Sequence, residues 1–277
     1  MSERPRPLNG FDEADRELVA ALRSDEPDVR SYALGEVHAV VGDALARELL
    51  RFARDDGRDP EERGRALIAL GPALEEASFE EEPDGSLSSD VPDWWAASLS
   101  DAAYRHVHDE LRKIYHDAAL PKLVRRRALE AAVRAPRDWQ REATAAAWRS
   151  GDPEWRLTAV FAMAFLGGFR DEIVEAFGSD DPLVRRQAIR ATGLSDEAAG
   201  ALRKAILALA ADLGAEREDR LAAIWALGEG QPRGARDLLE DLTEDRDPEI
   251  AEAAEDALEE IRLFSGVVPD DLLDEAW

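Results

Sequence analysis

Histidine and acidic side chains are concentrated in one short stretch, YRHVHDELRKIYHD, and they are the residues best suited to metal chemistry. His106 and Glu110 are four residues apart, so a helix would place them on one face, whereas His108 would point away from it. A divalent metal site needs three or more converging ligands, and only this one pair is evident. We therefore expect no metal centre and no cofactor.

A recurring arginine defines the organisation of the chain. It follows a turn and precedes an alanine in the pattern x-x-Arg-x-x-Ala, as in PDVRSYA, PEWRLTA and PLVRRQA. The six arginines are Arg30, Arg63, Arg125, Arg156, Arg185 and Arg220. They are 29 to 35 residues apart, except for a 62-residue interval before Arg125 that spans two repeat lengths. With a degenerate seventh match, PEIAEAA, the pattern predicts seven units of about 31 residues.

Each unit is predicted to contain two helices joined by an Asp/Pro turn. Proline is tolerated in the first turn of a helix, and a preceding aspartate can cap the free amides there. Four such pairs mark the start of second helices: Asp59-Pro60, Asp152-Pro153, Asp181-Pro182 and Asp247-Pro248. We predict an all-α solenoid, an α-α superhelix of about seven helix pairs, over residues 11–263. It lies between an N-terminal tail, residues 1–10, and a C-terminal cap or tail, residues 264–277.

The repeated pattern resembles HEAT repeats, particularly the PBS-lyase HEAT-like type, whose core reads Asp-Pro-x-Val-Arg-x-x-Ala-x-x-Ala-Leu-Gly. In that family the arginine reaches turn carboxylates and forms a ladder along the solenoid. The resemblance implies this structural role for all six arginines, including Arg185. Its expected partners are Asp152, Asp180 and Asp181. Helical spacing agrees, because the arginine falls within the apolar face of its helix, where a charge needs partners.

Enzymes with HEAT-like repeats provide two comparisons. Deoxyhypusine hydroxylases bind iron through His-Glu dipeptides, and this sequence contains none. HEAT-like DNA glycosylases use a basic groove with aromatic and acidic residues, and the counterparts here would be Trp148, Trp155, Trp225 and Asp152. Phosphate binding requires a concentrated positive field, whereas this chain has a net charge of −26. We expect a protein without enzymatic activity and without a nucleic-acid partner, with the glycosylase-like function as the alternative.

The exposed positions of the second helices form a candidate binding surface. In HEAT proteins these helices line the concave side, and the positions 2, 5, 6 and 9 residues after the ladder arginine face outward. The candidates there are Arg65, Arg127, Arg134, Phe161, Phe165, Arg190 and Trp225. Arginine and aromatic residues are typical of the energetic centres of protein interfaces. We expect them to bind an acidic or amphipathic protein segment, unless the arginines neutralise neighbouring acids and the aromatics pack between repeats.

An acidic insertion, residues 76–97, interrupts the repeats. Residues 75–93 include eight acids and no base, a composition that predicts a long acidic loop. Trp94 and Trp95 follow directly. They either anchor this loop to the solenoid or form a further contact with a partner.

The overall composition indicates the setting of the protein. Acids outnumber bases by 61 to 35, and lysine occurs three times, which resembles the proteins of halophilic archaea. The absence of cysteine excludes disulfides and zinc-thiolate sites. No apolar run approaches the length that spans a bilayer, so we expect a cytoplasmic protein without membrane contact. The sequence therefore predicts a cytoplasmic scaffold or adaptor, for example in a signalling or regulatory assembly, and indicates no oligomeric state.

Overall fold

The computed structural model describes residues 11–37, 41–79 and 99–265, and all regular structure in these ranges is helical. The N-terminal tail, Trp94, Trp95, most of the acidic insertion and nearly all of the C-terminal segment lie outside the described residues. The helices are α1 (Phe11–Leu22), α2 (Pro27–Glu36), α3 (Asp43–Arg54), α4 (Pro60–Ile68), α5 (Gly71–Phe79), α6 (Asp101–His116), α7 (Lys122–Ala132), α8 (Asp138–Arg149), α9 (Pro153–Leu166), α10 (Arg170–Phe177), α11 (Pro182–Leu194), α12 (Asp196–Ala211), α13 (Arg217–Gly230), α14 (Ala235–Leu242) and α15 (Pro248–Ser265).

The predicted all-α class is confirmed, and the helix pairs agree with an α-α superhelix. The second helices of the seven pairs are α2, α4, α7, α9, α11, α13 and α15. One predicted helix is divided, because α4 ends at Ile68 and α5 begins at Gly71. Proline at position 72 explains the break, since it has no amide to donate to a carbonyl of the preceding turn and disfavours helical geometry before it.

Aspartate caps start the second helices where the Asp-Pro pairs predict. The Asp181 carboxylate accepts a hydrogen bond from the Leu183 amide at 2.9 Å, and Pro182 follows the cap. Asp59 and Asp152 make the same contact with the second residue after them. Each cap satisfies an amide that has no partner inside the helix, which fixes where the helix begins.

The chain divides into two compact units, of which the first comprises residues 1–144. In this unit α4 lies beside both α2 and α7, while α1 packs on α2, α3 on α4 and α6 on α7. Phe52, Leu67 and Leu111 are completely buried between the two layers. Close packing depends on glycine, because a Cβ atom at Gly64 would lie 2.9 Å from Cγ of Arg127. The arginine stem therefore crosses α4 at a position without a side chain.

The second unit comprises residues 145–277 and repeats this layering. Neighbouring second helices pack in the order α9, α11, α13 and α15, and α10, α12 and α14 pack on one side of them. Met163, Ile189 and Leu227 are buried between the layers. Among the described residues of this unit, no helix packs on the other side of α9, α11, α13 and α15, and we call that side the second-helix surface of this unit.

Candidate functional site

The ladder arginines lie at the start of the second helices, and three of the six bond to a carbonyl at the end of the helix before them. The Nε atom of Arg220 donates to the Ala210 carbonyl at 3.0 Å, across ten residues. The same contact joins Arg63 to Ala53 and Arg125 to Tyr115, at 2.8 and 2.9 Å. These carbonyls belong to a helix end that has no further amides to accept from. One role of the arginine is thus to join the two helices of its own repeat.

Two ladder arginines also reach forward to the next second helix. Arg30 forms a bidentate pair with Glu62, with N–O distances of 3.2 and 3.3 Å. Arg185 donates from Nε to Asp219 at 2.7 Å. In both cases the acid directly precedes the next ladder arginine in sequence. Such a pair links consecutive repeats, and we call it a rung.

The partners that the sequence predicted for Arg185 were wrong. Besides Asp219, it bonds to the Ser179 carbonyl at 3.1 Å, whereas Asp152, Asp180 and Asp181 had been expected to accept from it. Asp181 is instead occupied as the cap of α11, where its carboxylate faces backbone amides. The link therefore runs forward along the array.

Arg63 and Arg156 have no rung, because the position that would supply the acid is valine in both following repeats. Arg63 is buried, and its Nη2 atom has no hydrogen-bond partner. Arg156 lies over the Trp148 ring, with 4.3 Å from its guanidinium carbon to the ring centroid, and pairs with Glu175 at 3.3 Å. Its contacts therefore stay within its own repeat and α10.

The three candidate arginines of the first unit are bonded to their own chain. Arg65 donates to the hydroxyl and carbonyl oxygens of Ser31, at 2.9 and 3.1 Å. Arg127 pairs with Glu130 at 2.5 Å, and Arg134 pairs with Glu75 on α5 at 2.7 Å. Glu130 is buried, although the repeat pattern placed it on the exposed face. The contacts of Arg127 and Arg134 favour the alternative in which the arginines neutralise neighbouring acids.

The candidates of the second unit lie on the second-helix surface and are more accessible. Arg190 is exposed and has no hydrogen bond or ion pair with any described residue. Trp225 is 37% exposed and Leu194 is 40% exposed. Phe161 and Phe165 are half-buried on α9, with their ring centroids 5.1 Å apart. An unpaired cation and a group of apolar side chains therefore share this surface.

Contacts between α11 and α13 fix which of these residues lie side by side. Arg185 meets Asp219 near the start of both helices, so the two helices run parallel. Near their ends, a Cβ atom at Gly193 would lie 3.0 Å from the Cα of Ala226 and 3.1 Å from the Cβ of Glu229. A residue of α11 therefore lies at the same height along the helix axis as the residue of α13 about 34 positions later. Arg190 and Trp225 are level with each other in this sense.

Glu229 lies on α13 one helical turn beyond Trp225, and Glu260 lies on α15, which packs against α13. Burial raises the pKa of Glu229, and the neighbouring carboxyl group of Glu260 raises this pKa further. Neither carboxyl forms an ion pair with a described residue. The sequence does not indicate this pair, because the acids belong to different repeats and are brought together only by the packing of α13 on α15.

The candidate ligands on the histidine-rich helix α6 have different environments. Glu110 pairs with Arg54 and Lys113, each at 2.8 Å, and His106 is exposed beside it. His108 is buried, and neither ring nitrogen has a hydrogen-bond partner. Among the described residues, no three histidine or acidic side chains converge on a point that could hold a metal ion.

The residues compared with a DNA glycosylase have structural contacts in the second unit. The Asp152 carboxylate accepts hydrogen bonds from the Glu154 and Trp155 amides and so caps α9. Trp148 lies beneath Arg156.

No described helix combines the length and apolar character needed to cross a membrane.

Comparisons with known proteins find distant similarity to solved structures. No protein-family model matches the sequence. No curated protein matches it either. Among solved structures, human deoxyhypusine hydroxylase is 17% identical over 91% of this chain and 97% of its own, with a TM-score of 0.38. The Escherichia coli YibA protein is 14% identical over 94% and 99%, with a TM-score of 0.39, and a designed armadillo repeat protein is 17% identical over 88% and 98%, with a TM-score of 0.27.

Proposed function

We propose that this chain is a non-enzymatic protein-binding scaffold or adaptor, and that the second-helix surface of its second unit is the recognition surface. The observation that carries the proposal is that Arg190 is exposed and unpaired within the described residues, level with the exposed side chain of Trp225. Tryptophan and arginine contribute more to binding free energy at interfaces than most residues do. Leu194 and the Phe161–Phe165 pair extend the apolar area on which a partner would be desolvated.

The partner in this proposal is an acidic or amphipathic protein segment, because Arg190 offers a positive charge beside apolar side chains. An array of parallel helices presents a grooved surface, which suits an extended or helical ligand. We further propose that the repeats are of the PBS-lyase HEAT-like type and that the protein acts in the cytoplasm of a halophilic archaeon. A signalling or regulatory assembly is the setting that this repeat type favours.

Affinity capture tests the proposal directly. The immobilised chain is incubated in molar salt with a lysate of its source organism, and bound proteins are identified by mass spectrometry. The test variant carries Arg190→Glu and Trp225→Ala. The control variant carries Arg203→Glu on α12 and Leu213→Ala in the following loop, where both side chains are exposed away from the second-helix surface.

We expect one or more proteins to be retained by the unmodified chain and by the control, and to be lost from the test variant. Equal retention by all three chains would place recognition elsewhere, and the acidic insertion with Trp94 and Trp95 would then be the next candidate. Retention of nucleic acid instead of protein would favour the glycosylase-like alternative.

A further inference from the structure

Glu229 and Glu260 are two acidic residues of the second-helix surface that lack a cationic partner among the described residues. Both side chains are half-buried, and no described arginine or lysine pairs with either of them. The helices that carry them pack side by side, so like charges at these two positions repel each other. The site therefore has a local excess of negative charge that a cation can relieve.

Apolar side chains adjoin this pair on the surface. Trp225 lies one helical turn before Glu229 on α13, and Leu194 lies beyond Gly193, which packs directly against Glu229. The register between α13 and α15 is fixed by Gly228, where a Cβ atom would lie 3.0 Å from that of Ala257. Negative charge and exposed apolar area are thus held in a fixed relation by helix packing.

We propose that the second-helix surface binds an amphipathic helix of another protein, which places an arginine or lysine against Glu229 and Glu260 while its apolar face covers Trp225 and Leu194. This inference rests on the proposed function, and it specifies the charge that the partner carries. A basic side chain forms charge-assisted hydrogen bonds with carboxylates, and these bonds strengthen when neighbouring apolar groups exclude water.

Charge complementarity favours this partner over a purely acidic one. Of the four candidate arginines, Arg65, Arg127 and Arg134 are bonded within the first unit, so Arg190 is the candidate arginine that has no hydrogen bond or ion pair with a described residue. Arg190 can form an ion pair with an acidic residue of the partner. This contact would lie one helical turn away from the basic residue that binds to Glu229 and Glu260. A nucleic acid does not fit, because its phosphates would meet the two carboxylates.

Selection from a displayed library of 18-residue helical peptides tests the inference without knowledge of the natural partner. Binders are enriched separately on the unmodified chain, on Trp225→Ala, on Glu229→Gln/Glu260→Gln, and on Asp237→Asn/Glu240→Gln. The last variant is the matched control, since it removes two acids from exposed positions of α14. All selections use one salt concentration in which circular dichroism shows each chain to be folded.

We expect peptides enriched on the unmodified chain and on the α14 control to carry a basic residue three or four positions from apolar residues. This basic residue should lose its enrichment on Glu229→Gln/Glu260→Gln. Enrichment of neutral or acidic peptides that depends on Trp225 would overturn the inference and leave the proposed function in place. Failure to enrich any peptide relative to Trp225→Ala would overturn both.

Calorimetry on one enriched peptide then measures the contribution of the charge. Replacement of its basic residue by glutamine should weaken binding to the unmodified chain about tenfold, in keeping with one charge-assisted contact. The same replacement should change binding to Glu229→Gln/Glu260→Gln less than about twofold, which is within the scatter of surface substitutions. An equal loss on both chains would show that the basic residue acts elsewhere, and would contradict the inference.

Discussion

At the scale of single residues, His108 shows how burial decides the role of a side chain that could have bound a metal. Its ring lies edge-on to Tyr104, with the centroids 4.8 Å apart, and neither nitrogen is hydrogen-bonded. Burial and, to a smaller extent, the charge of Arg137 lower the pKa of His108 to about 4, although the charge of Asp109 opposes this shift. The imidazole is therefore neutral in the folded protein at neutral pH, and protonation opposes folding.

The pKa of His108 predicts a loss of stability in mild acid. Because the folded pKa lies below the unfolded value of about 6.5, the free energy of unfolding is unaffected by this group above pH 6.5 and falls as the pH decreases towards 4. The shift corresponds to about 3 kcal/mol over this interval. Urea unfolding at pH 7 and pH 4.5 measures the change for the unmodified chain and for His108→Phe, which keeps an aromatic ring in the same space.

The phenylalanine variant should lose less stability on acidification than the unmodified chain. His106→Ala, on the exposed side of α6, is the matched control and should behave like the unmodified chain. The same acid dependence in all three proteins would show that His108 is not protonated in unfolding, and the burial argument would be wrong.

At the scale of the helical elements, the rungs between repeats depend on one sequence position. A ladder arginine pairs forward where an acid directly precedes the next ladder arginine, as Glu62 does for Arg30 and Asp219 does for Arg185. Arg220 reaches a different acid, Asp245 in the turn before α15, at 2.6 Å. Arg63 has no described carboxylate partner. The repeats are therefore joined unevenly, although the arginine itself recurs.

This difference predicts unequal costs for the same substitution. Arg220→Met leaves the buried carboxylate of Asp245 without its cation and should lower the free energy of unfolding by about 3 kcal/mol. Arg63→Met removes a contact to the Ala53 carbonyl and strands no described carboxylate, so it should cost about 1 kcal/mol. Urea unfolding followed by circular dichroism measures both. Equal losses, or a larger loss for Arg63→Met, would show that the ion pair with Asp245 does not decide the cost of losing a ladder arginine.

The elements also show what the sequence could and could not predict. Asp-Pro pairs and the arginine spacing located the second helices, because caps and repeats are local patterns. The break before Pro72 was missed, although proline is a local signal. The partners of Arg185 and the pairing of Glu229 with Glu260 depend on how neighbouring helices pack at Gly193 and Gly228, and one residue of rotation moves a side chain by about 100°. Second-helix faces were therefore predicted better than the individual contacts on them.

At the scale of the whole molecule, the net charge of −26 predicts a requirement for salt. Repulsion between carboxylates extends further at low ionic strength, because the Debye length grows from about 3 Å at 1 M to about 30 Å at 0.01 M. The melting temperature should therefore fall on dialysis from molar into millimolar sodium chloride. Sucrose at matched osmolality is the control, because it does not screen charge. An unchanged melting temperature between the two salt concentrations would remove the halophilic interpretation of the composition.

The most direct test of the binding surface is the affinity of a captured partner for single variants, measured by calorimetry in molar salt. Trp225→Ala should weaken binding by about 30-fold or more, equivalent to about 2 kcal/mol, if Trp225 lies at the centre of the interface. Arg190→Glu should weaken binding as well, whereas Leu213→Ala and Arg203→Glu should leave the affinity unchanged, since their side chains lie off the second-helix surface. Unmodified affinity in both Trp225→Ala and Arg190→Glu would contradict the account.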